Sequence, residues 1–461
     1  MGGFAAINED IIVAPATLSG GAIAIVRLSG EGSIELADKM FRPVKEGGAR
    51  LSEAKGYTLH YGYIVEGDEV IDDVMVSLFR APHSYTSEDG IEISCHGSSY
   101  IVGRIIGRAL SLGARMATEG EFTIRAFLAG RIDLSQAEAV SDMIASSNRA
   151  THALASTQMR GGYSEMLNGL RAELVRLSAL LELELDFSDE DVEFANRGEL
   201  TELMSRLKDE VERLMESFKV GNAIKEGVAV AIVGAPNAGK STLLNRLLGE
   251  ERAMVSEVAG TTRDTIEDVV VIDGVAFRFI DTAGLHKTTD RLEQMGIERT
   301  YSAIERARVV IQLIDIDQVE GAEPIEVEPS QKRIVVLNKA DRVASTEERS
   351  AKLRESGVEH VVISAKEGSG VADLVEKLSN TIDVSSLYEG GVIVSNARHY
   401  DHLRNAADSL TRAHQSIKEN QPTDLLTEDL RHTLHHIGAI TGEITNDEVL
   451  GAIFSSFCIG K

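Results

Sequence analysis

The stretch VAVAIV-GAPNAGKS-TLLNRLL, residues 228–248, decides how the rest of the chain is read. An apolar run precedes a glycine-rich turn, and a segment of helical period follows. This is the strand–loop–helix setting that the G-x-x-x-x-G-K-[ST] pattern requires. Gly234 and Gly239 free the backbone to aim N–H groups at phosphate oxygens, with Asn237 and Ala238 inside the turn. The N-terminus of the following helix adds its dipole. Lys240 is placed to reach the β- and γ-phosphates and Ser241 to ligate Mg2+, with Thr242 completing the phosphate-facing set.

Downstream, NKAD (338–341) closes the apolar run RIVVL, as a loop at the carboxyl end of a strand would. The Asp341 carboxylate can accept from guanine N1–H and the 2-amino group together, a donor pair that adenine lacks. A site built on such acceptors rejects the wrong base strongly. Asn338 and Lys339 stand beside it, and Ser364, Ala365 and Lys366 follow the next apolar run as a second guanine-contacting loop. Between phosphate and base loops, Ser256, Glu257, Val258, Ala259, Gly260, Thr261 and Thr262 make a candidate switch segment. Within it Thr262, or else Thr261, offers a hydroxyl to Mg2+. Asp281, Thr282, Ala283 and Gly284 follow a further apolar run. Asp281 would hold the metal through water, and the Gly284 N–H would sense the γ-phosphate. Four such motifs, in order and each after a strand-like run, imply a GTP-binding domain.

Small regulatory GTPases carry a glutamine after that last glycine, whereas this chain has Leu285. Leucine neither orients water nor neutralises charge, so hydrolysis must draw on another group. Asn237, with carbonyls from 256–261, is a candidate to seat a monovalent cation beside the β/γ bridge; its alternative role is a hydrogen bond that shapes the loop. Glu293 is a candidate to position water, and its alternative is an exposed helix glutamate. Arg263 is a third candidate, or a structural ion pair.

At 461 residues the chain exceeds one ordinary core, and roughly two to four domains are expected. The formal net charge of −26 argues against coating by nucleic acid through overall charge. RNA contact is then local, transient or shared with a more basic partner. Cys95 and Cys458 lie far apart, which points to a reducing compartment and no disulfide framework. No export signal is visible in MGGFAAINEDIIVAPAT, and no apolar run reaches membrane-spanning length. The expectation is a cytoplasmic protein with no membrane association.

The fold class expected is multidomain α/β. In residues 1–118, AIAIVRLSG, YTLHYGYIV, DDVMVSLF and IEISCHG have strand patterning and YIVGRIIGRALSLG follows as a helix, a mixed α/β domain. Over 119–220 the period changes: Met166, Leu170, Leu174, Leu177 and Leu181, then Leu200, Leu203, Leu207, Val211, Leu214 and Phe218, fall at steps of three and four. The acidic run 182–194 turns the chain between two such helices. Residues 221–380 alternate strand and helix, the sign of a mostly parallel sheet covered on both faces, and 381–461 is helical again. The reading is a discontinuous helical domain with a Ras-like P-loop G domain inserted in it, since domain termini are often close together.

GAPNAGKS, AGTTRD, DTAGL, NKAD and FSSFCIGK, together with PHSYTSEDGIEISCHG and FTIRAFLAGRIDLSQAEAV, resemble the MnmE (TrmE) family of tRNA modification GTPases over the full length of the chain. The GTPase motifs alone fit several bacterial GTPases; the N-terminal motifs and the closing CIGK are the specific part. The resemblance implies a homodimer whose N-terminal, folate-binding-like domains pair and bind 5-formyltetrahydrofolate or a related folate. It also implies potassium-dependent GTP hydrolysis when two G domains face each other. By the resemblance, K+ ligands are Asn237, the backbone carbonyls of Ser256 and Val258, and Thr261, while Glu293 positions water. Potassium then brings the positive charge that Leu285 cannot. The implied partner is an MnmG-like FAD- and NADH-dependent flavoprotein, in a heterotetramer. Together the two modify C5 of the wobble uridine of certain tRNAs to aminomethyl or carboxymethylaminomethyl forms, with a folate one-carbon unit.

By the same resemblance the folate site comprises Arg27, Glu92, Arg131 and Lys461. A pterin presents a donor pair like that of guanine, which Glu92 can accept, while Arg27 and Arg131 can meet tail carboxylates or polar ring edges. Taken singly, each of these residues reads as an ordinary surface or structural charge. At the chain end, Val449, Ile453, Phe454 and Phe457 form an apolar stripe able to dock the tail and present Cys458 near that pocket. Cys458 is then a catalytic thiol or a small packing residue. Cys95 and His96 of SCHG read chiefly as strand residues, and His432, His435 and His436 as solvated helix histidines rather than a zinc site. Two rival functions are an Era-like ribosome-assembly GTPase and a folate-dependent one-carbon enzyme with a regulatory GTPase.

Overall fold

A computed structural model describes residues 10–460 apart from 19, 46–47, 49, 187–196, 251–267, 281–300, 322–324, 356–357, 390, 420, 446 and 456. The chain divides into two compact units. One contains Met1–Ile144, Gln158–Glu173 and Leu434–Lys461; the other contains Ala145–Thr157 and Leu174–Thr433.

In the first unit, seven strands form one sheet: β1 (Ile12–Pro15), β2 (Ile23–Ser29), β3 (Phe41–Pro43), β4 (Thr58–Glu66), β5 (Glu69–Phe79), β6 (Gly90–His96) and β7 (Arg115–Met116). The order is β3-β4-β5-β6-β2-β1-β7, antiparallel throughout except for the β1–β7 pair. The period-two alternation assigns the faces. Ala24, Val26, Leu28, Ile91, Ile93 and Cys95 turn inwards. The helices Ser33–Asp38 and Ser99–Ser111 cover that side, the second contributing Val102, Ile105 and Ala109. On the opposite face, register aligns Leu59, Ser77, Glu92 and Arg27 in one cross-strand row. Ile23, Leu59, Tyr61 and Met75 stay exposed there.

The second unit holds a six-stranded sheet of β8 (Val228–Val233), β9 (Asp268–Ile272), β10 (Val275–Phe279), β11 (Val309–Asp315), β12 (Lys332–Asn338) and β13 (His360–Val362). Its order is β13-β12-β11-β8-β10-β9, and only β9 runs antiparallel. The chain starts at β8 in the middle and later strands go to either side of it, so the crevice at the carboxyl end of β8 is a topological switch point, where open α/β sheets bind ligands. The phosphate-loop sequence begins at that end.

The helices flanking this sheet in sequence meet each other. Arg197–Glu226 runs directly into β8, and Ala397–Lys418, which comes after the last strand, packs along it. Phe218 stacks on Tyr400 with ring centres 4.6 Å apart, and a Cβ at Gly221 would lie 2.0 Å from the Val394 carbonyl oxygen. The α/β part is thus inserted between two helical segments that pack together. The buried stripe of Arg197–Glu226 is Leu200, Met204, Leu207, Val211 and Leu214. Steps of 4-3-4-3 keep one face inward, which selects Met204 where the sequence reading had Leu203 and leaves Phe218 half-buried. For the same reason the stripe of Gly162–Asp186 carries Leu167 in place of Met166. The acidic run from 182 begins inside that helix, and its remainder lies outside the described residues.

Candidate functional sites

The phosphate loop leaves β8 under tight constraint. A Cβ at Gly234 would fall 2.2 Å from the Leu313 carbonyl oxygen of β11, so the first glycine is required by close approach of a neighbouring strand. Gly239 has φ +103° and a Cβ there would meet Asn338 Nδ2 at 2.2 Å. Asn237 adopts φ 62°, a left-handed conformation that asparagine tolerates. Lys240 Nζ donates to the carbonyls of Gly234 at 2.8 Å and Ala235 at 3.1 Å, and burial holds its ammonium below the usual lysine range. Among the described residues the partners of this ammonium are carbonyls alone, which fits it to seat an anion. Ser241 and Thr242 follow in the first turn of the helix Lys240–Glu250.

Asn338, buried at the end of β12, joins this loop to the base loops. Its Nδ2 donates to the Ala238 carbonyl at 2.7 Å, and its Oδ1 accepts from the Ala365 N–H at 2.9 Å. Ser364 Oγ donates to Asp341 Oδ1 at 2.6 Å; that bond, ahead of the nearby charges of Lys366 and Arg342, holds the Asp341 carboxyl below its usual range. Lys339, at φ 67°, pairs with Asp315 Oδ2 at 2.6 Å. Arg246 reaches from the phosphate-loop helix to the carbonyls of Ala365 and Lys366. The phosphate loop, NKAD and SAK thus meet at one end of one sheet. Ser256, Glu257, Val258, Ala259, Gly260, Thr261, Thr262, Arg263, Asp281, Thr282, Ala283, Gly284, Leu285 and Glu293 lie outside the described residues, as does Lys461.

A second site lies on the open face of the N-terminal sheet. A cavity of about 150 Å³ is lined by Arg27, Ser29, Ser84, Tyr85, Thr86 and Glu92, with Phe79 and Phe122 among its apolar walls. Arg27 donates from Nε at 3.0 Å and Nη2 at 2.7 Å to Glu92 Oε1, leaving Oε2 without a hydrogen bond among the described residues. The Arg27 guanidinium stands 5.7 Å from the Tyr85 ring centre and 5.5 Å from that of Phe122. Arg131 donates to the Ser84 carbonyl. The tail closes in beside them. Phe454 and Phe457 bury against Ile124, Leu134 and Ala137, Ile459 bridges to Glu119, and the Gly460 carbonyl accepts from Arg27 Nη1 at 3.4 Å. Cys458 is exposed between these anchors, its carbonyl taking the Gly120 N–H at 3.4 Å.

Beneath the cavity is an ionic network that the sequence reading missed. Arg125, 1% exposed in its side chain, donates to Asp10 Oδ1 at 2.6 Å, to Glu121 Oε1 at 3.1 Å and to both Glu88 oxygens at 3.1 Å. Arg115 completes it against Asp10 and Glu121. Hydrogen bonding to Arg115 lowers the Asp10 carboxyl; burial works to raise that of Glu121, and its bonds to Arg115 and Thr118 outweigh this. The signal was present in FTIRAF, where a lone arginine among apolar helix residues marks a buried ion. Elsewhere Cys95 is buried, and burial, helped by the Asp72 charge, pushes its thiol up to about 11, which makes it a packing residue. His96 pairs with Asp72 through Nδ1 at 2.9 Å, and His432 pairs with Glu428 on an exposed helix face. Among the described residues no helix is long and apolar enough to cross a membrane.

A P-loop at the switch point of a mostly parallel sheet, tied to an Asn-Lys-x-Asp loop, defines the class: a guanine-nucleotide-binding P-loop GTPase. Residues 11–131 match the family described as GTP-binding protein TrmE N-terminus, and residues 134–458 match MnmE helical domain. The chain belongs to the MnmE family of tRNA modification GTPases. It is 48% identical to the tRNA modification GTPase MnmE of Flavobacterium psychrophilum, over 99% of this chain and 100% of that protein. It is likewise 48% identical to the protein of that name from Bacteroides thetaiotaomicron, again over 99% and 100%. Among solved structures, the G domain of the T. maritima FeoB iron transporter aligns over 33% of this chain and 97% of its own at 26% identity, with a TM-score of 0.23.

Proposed function

We propose that this chain hydrolyses GTP with Mg2+ and K+ and, as a homodimer acting with an MnmG-like flavoprotein, modifies C5 of the wobble uridine of certain tRNAs using a folate one-carbon unit. The observation that carries the reading is the joining of phosphate loop and guanine loops through Asn338, in a chain of full-length similarity to proteins named for tRNA modification. In this reading Lys240 meets the β- and γ-phosphates, Ser241 meets Mg2+ with Thr262 and Asp281, and Asp341, ordered by Ser364, accepts from guanine. Asn237, with Ser256, Val258 and Thr261, seats K+, and Glu293 positions water. When bound, the potassium ion supplies positive charge beside the β/γ bridge.

Folate binding by Arg27, Glu92, Arg131 and Lys461 is supported by the cavity that Arg27 and Glu92 line, by the bond of Arg131 to the carbonyl of Ser84 in its wall, and by the buried Ser84 hydroxyl, which has no partner among the described residues. Dimerisation through the N-terminal sheet is supported by exposed Leu59, Tyr61 and Met75 on the same face. We assign residues 1–118 to the folate and dimer domain, 119–220 and 381–461 to the helical domain, and 221–380 to the G domain. Reconstitution with flavoprotein, GTP, folate and tRNA, each omitted in turn, tests the whole. Modification that continues without GTP or without this chain overturns it.

A further inference from the structure

The floor of the N-terminal cavity has a fixed hydrogen-bond polarity. Ser29 and Thr86 are both buried and both line it. Ser29 Oγ lies 2.7 Å from Glu88 Oε2 and 2.6 Å from Thr86 Oγ1. The Glu88 carboxylate faces the Arg125 guanidinium and can only accept, so Ser29 must donate its one proton to Glu88. The Ser29–Thr86 bond must then use the Thr86 proton. Both hydroxyl protons are committed, Thr86 Oγ1 also accepts from the Glu88 N–H at 3.4 Å, and all that either oxygen has left to offer a ligand is a lone pair. Glu92 Oε2 adds another acceptor. Ser84 Oγ, in a residue only 6% exposed, has no hydrogen-bond partner among the described residues and is the free donor of the site.

We infer that Thr86 and Ser29, polarised by Glu88 and Arg125, are specificity-determining residues that select a reduced, tetrahydro pterin ring over an oxidised one. This rests on the folate reading of the cavity. The two ring states share the 2-amino group and N3–H but differ at N8, which is an N–H donor in the tetrahydro form and a bare acceptor in the oxidised form. With N8 turned to that floor, its acceptors satisfy the first and set lone pair against lone pair in the second. Ser84 serves an acceptor common to both.

Calorimetric titration of the full-length protein with 5-formyltetrahydrofolate and with folic acid tests this. Wild type should bind the reduced ligand roughly tenfold tighter or more. Thr86→Val removes one of the two hydroxyl acceptors and should narrow the preference to about threefold. Glu88→Ala removes the acceptor that takes the Ser29 proton while Arg125 keeps Asp10 and Glu121. Ser29 is then free to donate to the ligand, and folic acid should gain relative to the reduced ligand. Ser84→Ala should weaken both and keep their ratio. Unfolding transitions measured alongside identify any variant that fails to fold, and either Thr86→Val or Glu88→Ala suffices. Wild type binding both ligands equally, or a folded variant keeping the wild-type ratio, overturns the relay and leaves the folate reading standing. Wild type binding neither overturns both.

Discussion

Asn338 holds the carbonyl of Ala238 at 2.7 Å, one hundred positions away in the chain. Through this bond and its partner to Ala365 N–H, a residue of the base loop sets the shape of the phosphate loop. Asn338→Ala leaves a buried carbonyl and a buried N–H without partners, at a cost of about 1–3 kcal/mol. The variant should melt earlier and bind GDP roughly tenfold more weakly, as read by calorimetry. Unchanged affinity would show that the two loops hold their shapes independently.

The Arg125 network predicts a steep stability effect. Arg125→Met removes one guanidinium from three carboxylates and leaves Glu121 partly uncompensated in the interior. A loss of about 3–5 kcal/mol is expected in denaturant unfolding. Arg104→Ala, which breaks ion pairs with exposed Glu66 and Glu69, should cost far less. Equal effects would mean that burial does not set the cost.

The two cysteines should separate chemically. The Cys95 thiol is buried and pushed up to about 11, whereas Cys458 is exposed. Iodoacetamide near neutral pH should label Cys458 in the native protein and reach Cys95 only after unfolding. Peptide mass analysis reads this directly, and comparable labelling of both would contradict the buried placement.

His96 should titrate high. The hydrogen bond and the charge of Asp72 hold the protonated imidazole above its ordinary 6.5. Its contribution to stability is fully present below that value and is lost as pH rises through the raised folded-state midpoint. An NMR titration should place the His96 midpoint above 6.5, and Asp72→Asn should bring it back down. A midpoint unmoved by the substitution would remove Asp72 as the cause.

The cation reading predicts faster GTP hydrolysis in potassium than in sodium, with Asn237→Ala reducing the difference. Glu293→Ala should slow turnover with little change in nucleotide affinity, because it acts on water rather than on the ligand. Equal rates in the two salts would eliminate the mechanism.

Strand identity was legible because period-two and all-apolar runs announce themselves locally, as in VAVAIV, which is β8 residue for residue. The short strands β1, β3 and β7 were not, since a few residues show no period. The antiparallel β9 was passed over because its neighbours in sequence carry the switch motifs. Gly234 and Gly239 were legible as permissive backbone, but their close neighbours, Leu313 and Asn338, became known only once β11 and β12 lay beside β8.

Local pattern by itself determined the nucleotide class, because phosphate cradles and guanine acceptors are built from a few residues adjacent in the chain. Tertiary structure alone decided that Arg27 is engaged by Glu92, that Arg125 gathers Asp10, Glu88 and Glu121, and that Ser29 and Thr86 share a hydrogen bond in the wall of a cavity. These groups come from segments far apart in the chain. Their protonation and polarity follow from burial and mutual distance, quantities that exist only after the chain has folded.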